Sequence, residues 1–195
     1  MVAKKQLGFT IIELMIAMIV FSTMMVIAST VIIGVSKQYQ KSTKYSELND
    51  ASRNLHESLA QSIGYSSDGP YEVITTSGYK HICIGQDLYY WKISSGANIY
   101  PGLFKYTFPY VGAACGFDPA NLPNSVNLLP KDGFVTTFSI SKIENTNSYD
   151  ITTAFKIGTV DMYKDGSVSN NCLPTQKGGE FCSEIIYNST VSKRL

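Results

Sequence analysis

Hydrophobic positions change rhythm twice along this chain. From Phe9 to Val35 they form an almost unbroken run of 27 residues, with one carboxylate, Glu13, inside it and two lysines, Lys4 and Lys5, ahead of it. As a helix rising about 1.5 Å per residue, the run reaches about 40 Å. A hydrocarbon core is roughly 30 Å thick, so the run is long enough to span one with some tilt. From Tyr45 onward the apolar positions thin to steps of three and four: Tyr45, Leu48, Ser52, Leu55, Leu59 and Ile63. Lys41, Lys44, Glu47, Asp50, Arg53 and Glu57 lie mostly between them. That stripe marks an amphipathic helix. No proline interrupts before Pro70, and Gly64 followed by Ser66-Ser67-Asp68-Gly69-Pro70 is a stop. The pattern therefore predicts one helix from Phe9 to Ile63, with Gly34 and nearby Ser36 as its weakest point and Leu48, Leu55, Leu59 and Ile63 as the face packed on a sheet.

After Pro70 the period shortens to two. Tyr79–Ile84 and Leu88–Ile93 read as strands around Gly85-Gln86-Asp87. Residues 94–133 are rich in Gly, Pro and Asn and read as a long irregular connection pinned by Cys115, with one short strand near Phe104–Phe108. Phe134, Thr136, Phe138 and Ile140 alternate with Val135, Thr137, Ser139 and Ser141. The chain then turns through Glu144–Ser148 into Tyr149–Val160, which gives the strongest hairpin signal. Glu184–Tyr187 reads as a last edge strand. The predicted fold is α+β, one long helix packed on a small antiparallel sheet with a disulfide-pinned loop.

Charge and cysteines refine this reading. The formal charge is +1, so no polyanion-binding surface follows from composition and nucleic acid is not the expected partner. Lys4 and Lys5 keep the short N-terminal side cytoplasmic and send the rest outward. Cys83, Cys115, Cys172 and Cys182 then lie in an oxidising compartment and read as two disulfides. Three pairings are open, and loop closure favours Cys83–Cys115 with Cys172–Cys182. A metal reading is weak, because no Cys-x-x-Cys is present and only His81 lies near Cys83.

Catalytic chemistry is sparse. His56 falls beside Leu55 on the helix and reads as a solvated or interface side chain, while His81 in its strand reads as structural. No nucleophile elbow, phosphate loop or zinc-protease pattern occurs. Asp161, Asp165 and Gly166 read as a turn rather than a calcium loop, and Asn188-Ser189-Thr190 matches a glycosylation sequon. No catalytic residue, metal or cofactor is expected. Glu13 is the outlier, since an acid near the head of a membrane-length helix is expensive in hydrocarbon and marks a functional site.

The order of basic leader, Gly8, Phe9 and Thr10-Ile11-Ile12-Glu13-Leu14-Met15 resembles the class III signal and N-terminal helix of type IV prepilins and pseudopilins. That resemblance covers residues 4–35. It implies cleavage between Gly8 and Phe9 by a membrane prepilin peptidase, and methylation of the new Phe9 amino group by the same enzyme. It further implies that Glu13 pairs with the Phe9 amino-terminus of a neighbouring pilin subunit on an inner-membrane assembly platform. The implied organisation is a leader at 1–8, a membrane and filament-core half-helix at 9–35, an amphipathic half at 36–65, and a globular β-rich domain at 70–195. Before assembly the chain would sit in membrane lipid as a single-pass protein of the cytoplasmic membrane. Afterwards it would belong to an extracellular pilus or to a periplasmic or cell-wall pseudopilus. Many major pilins carry a proline near the middle of the membrane helix, where this chain has Thr30 and Gly34. The bulky C-terminal region, with a Cys172–Cys182 loop similar to that of pilins, is more like a minor pilin. The expected function is a structural, non-enzymatic subunit acting in pilus initiation, adhesion, motility or DNA uptake, its extracellular ligand undefined. The alternatives are a minor pseudopilin of a type II secretion system and, in a different class, a membrane-anchored extracellular binding module.

Overall fold

A computed structural model describes residues 10–67, 70, 74–76, 78–93, 100–109, 122, 125–158 and 181–194. One helix, α1 (Ile11–Tyr65), runs for 55 residues without a break at Gly34. It ends at Tyr65, two residues past the expected Ile63. The chain divides into two units, Met1–Gln40 and Lys41–Leu195.

In the first unit every described side chain of the apolar run faces outward, from Ile11 to Val35. By length and composition this stretch can cross a membrane. Its four hydroxyl side chains bond back to helix carbonyls: Ser22 to Met18, Thr23 to Val20, Ser29 to Met25 and Thr30 to Ile27, each at 2.7–2.8 Å. The hydroxyl protons are thereby satisfied within the helix, so these residues add little cost in hydrocarbon.

Among its described residues the second unit builds two antiparallel sheets, where the hydrophobic pattern had suggested one. The first has five strands in chain order: β1 (Ile74–Thr76), β2 (Tyr79–Ile84), β3 (Asp87–Lys92), β4 (Phe104–Thr107) and β5 (Val126–Asn127). The second has β6 (Gly133–Lys142), β7 (Ser148–Ile157) and β8 (Ser183–Ser192). β4 is the short strand expected near Phe104–Phe108, β5 falls in the stretch read as irregular, and the two pair in series onto β3 and extend the first sheet. The step into the second sheet passes through Asp132, which has φ 68°, and Gly133, where an added Cβ would lie 3.0 Å from the Pro130 carbonyl. That crowding favours glycine at this corner.

The helix face predicted from the stripe is buried: Leu48, Leu55, Leu59 and Ile63 pack with Ile82, Ile84, Tyr89 and Trp91 of the first sheet and with Phe138, Ile151, Phe155 and Ile185 of the second. Tyr45, included in the stripe, is instead 51% exposed. The alternation read in β6 also breaks. A bulge between Val135 and Thr137 lets the half-buried Val135 pack against the core with Phe138 and Ile140, while its neighbour Phe134 is also buried, at 1% exposed. β8 is an edge strand as expected, but it extends ten residues instead of four.

Candidate functional site

Of the three N-terminal residues singled out, Gly8 and Phe9 lie outside the described residues, and Glu13 occupies the first turn of α1. Its carboxylate is not left unpartnered. Glu13 Oε2 accepts from the Thr10 backbone N–H and from the Thr10 hydroxyl, both at 2.9 Å, and the Glu13 N–H points back to Thr10 Oγ1 at 3.3 Å. This reciprocal pair is a capping box, which satisfies donors that the helix end would otherwise leave open. The signal for it was present as Thr-x-x-Glu ahead of an apolar run, and the sequence reading passed over it. The consequence is chemical: the carboxylate is held on Thr10, the residue that follows Phe9 in the chain, at the N-terminal rim of an otherwise apolar helix, where the helix dipole favours an anion.

The cysteines are only partly placed. Cys83 is buried on β2 and Cys182 immediately precedes β8, and both are disulfide-bonded. Cys115 and Cys172 lie outside the described residues, as do Asp161, Asp165 and Gly166, so the pairing and the 94–133 pin do too. Asn188 is exposed on β8 within its sequon.

Two polar clusters in the second unit were not anticipated. His56 is buried between α1 and the second sheet, with Nδ1 2.7 Å from Ser189 Oγ and Nε2 2.7 Å from Thr153 Oγ1. One ring nitrogen of a neutral imidazole donates and the other accepts, and the two hydroxyls rotate to match. Tyr187 tilts against the ring at 4.3 Å. Burial pushes the His56 pKa down to about 4, so the imidazole is neutral near pH 7. Of the two sequence alternatives, interface rather than solvated is the one found. His81 is buried in β2.

The second cluster joins the end of α1 to β3 and β4. Asp87 accepts from Ser62 at 2.5 Å and Thr107 at 2.6 Å, and pairs with Lys105 at 3.0 Å. Lys105 also donates to Ser58 at 3.1 Å, and Ser58 and Ser62 each lie 3.0 Å from the Tyr89 hydroxyl. Burial pulls the Lys105 ammonium pKa down. Tyr89 and Asp87 outweigh that effect and leave it above the ordinary lysine value. Sequence spacing carries no trace of this network, because its members come from three elements that meet only in the fold.

Residues 3–29 match the family model described as the prokaryotic N-terminal methylation motif. That description concerns N-terminal processing and assigns no catalytic chemistry to the chain. No curated protein and no solved structure gave a match. The matched segment contains Gly8, Phe9, the Thr10–Glu13 box and most of the exposed apolar run, so the chain carries the class III signal peptide motif of type IV pilins and pseudopilins at the head of its long helix.

Proposed function

We propose that this chain is a minor structural subunit of a type IV pilus or pilus-like fibre. It is cut between Gly8 and Phe9, N-methylated on Phe9, and drawn from the membrane into the fibre with residues 41–195 carried on the outside. The observation that supports this most is the coincidence of the methylation motif at residues 3–29 with a helix whose apolar residues Ile11 to Val35 all face outward. A surface of that kind needs lipid before assembly and neighbouring helices after it.

Glu13 supplies the register. Cutting after Gly8 creates a cation at Phe9, and the capping box already holds the Glu13 carboxylate at the same end of the helix. In an apolar fibre core, a neighbour's Phe9 amine would give that carboxylate a counter-charge. Removing one partner of a buried pair costs roughly 3–5 kcal/mol, and such pairs are best attested as register devices. The motif is shared with the pseudopilins of type II secretion systems, and gene neighbourhood distinguishes the two.

The test compares wild type with Glu13→Leu and Glu13→Gln in the fraction sheared from the cell surface, with membrane levels as the control. Incorporation is expected to fall by about a hundredfold in both variants, from roughly 3 kcal/mol, while membrane insertion persists. Unchanged sheared protein would replace the fibre reading with that of a tethered binding module.

A further inference from the structure

We infer that the cleft where α1 ends on the first sheet is a binding site for a neutral sugar ring. The cleft, about 550 Å³, lies wholly within the second unit, and its size falls in the range of small-molecule sites. The β2–β3 turn forms one wall. Gly85 there has φ +60°, and an added Cβ would lie 3.1 Å from the Ser66 Cβ, so glycine lets the turn stand close to the helix end. Ile84 lies beneath the cleft floor in the core, 1% exposed, and Tyr65, 75% exposed, supplies an aromatic surface.

The polar chemistry is what selects the ligand. Asp87 and Lys105 face the cleft 3.0 Å apart, with side chains 15% and 23% exposed. Their charges cancel, so neither an anion nor a cation is preferred. What remains is an acceptor beside a donor, bordered by the Thr107 hydroxyl and the exposed Gln86 amide. Two adjacent hydroxyls of a sugar match that pair: one donates to the carboxylate while its neighbour accepts from the ammonium. The apolar C–H face of the ring then has the exposed Tyr65 ring to lie against. A fastening role alone does not call for the ion pair. Ser58, Ser62 and Tyr89 already bond helix to sheet, and a largely buried ion pair is weak evidence for stability.

The experiment uses the full chain in phosphocholine-headgroup micelles, which present no sugar. Saturation-transfer NMR is recorded with galactose, glucose, mannose and N-acetylglucosamine, and with inorganic phosphate and free lysine as charged competitors. At least one sugar is expected to bind saturably, with about tenfold weaker affinity in Asp87→Asn and Thr107→Val, the loss of one hydrogen bond to a charged group. Gln86→Ala, at an exposed position, is expected to weaken binding several-fold with Trp91 fluorescence unchanged, and it decides the matter should Asp87→Asn fail to fold. The assignment is overturned if no sugar saturates, if binding is the same in Gln86→Ala and Thr107→Val as in wild type, or if phosphate or lysine displaces the sugar at equal concentration.

Discussion

Protonation of His56 should loosen the second unit in a defined pH window. The imidazole is 5% exposed and wedged between two hydroxyls and Tyr187, with its pKa lowered to about 4 by burial. In the unfolded chain an ordinary histidine titrates near 6.5. Between these values the unfolded state binds the proton more readily, so stability rises with pH. The contribution is fully present above about pH 6.5 and is lost as pH falls toward 4. A shift of about 2.5 units corresponds to about 3 kcal/mol at most, and to about 2 kcal/mol at pH 5. Glu57, next in the chain, is paired to Arg53 with both side chains largely in solvent, so it offers the imidazolium little compensation. The perturbation is His56→Gln, which keeps hydrogen-bonding groups but does not titrate. The assay is urea unfolding of the full chain in micelles, followed by Trp91, the one tryptophan, which is buried 5.1 Å from Phe138. The stability advantage of wild type over His56→Gln should shrink by about 2 to 3 kcal/mol between pH 7 and pH 4.5. Parallel pH profiles for the two proteins would refute the reasoning.

Two further outcomes follow from the packing and the cysteines. Leu55, 1% exposed at the centre of the helix face, should cost about 2–5 kcal/mol as Leu55→Ala in the same unfolding assay; a cost under about 1 kcal/mol would mean the face is not the core it is described to be. Alkylation without reductant should leave the mass of the outward-facing protein unchanged, as two disulfides require, and four labelled cysteines would refute both bridges.

Much of this architecture was legible because it is local. The helix, β2, β3, β4 and the β6–β7 hairpin each carry their own period, and burial of Leu48, Leu55, Leu59 and Ile63 follows from spacing alone. What escaped was set by distant partners. β5 is two residues long and β1 three, too short to hold a rhythm, and membership in one sheet or two depends on pairing between segments far apart in sequence. The polar end of β8 reads as loop because Asn188, Ser189 and Thr190 show no apolar alternation. Its inner face is closed by a hydroxyl on a helix histidine instead. The bulge in β6 brings Val135 against the core beside the buried Phe134, without changing any residue type. At the N-terminus the situation is reversed. The order of Lys4, Lys5, Gly8, Phe9 and Glu13 could be read directly, since a processing signal is recognised as a linear segment, and the capping box was equally visible in Thr10 and Glu13.

The role given to Glu13 depends on the fate of the first eight residues, and mass spectrometry of the N-terminal peptide from membrane and sheared fractions measures it most directly. The expected peptide begins at Phe9 and carries one methyl group on its amino nitrogen, with Met1–Gly8 missing. An N-terminal peptide still beginning at Met1 in both fractions would contradict the prepilin reading and, with it, the role given to Glu13.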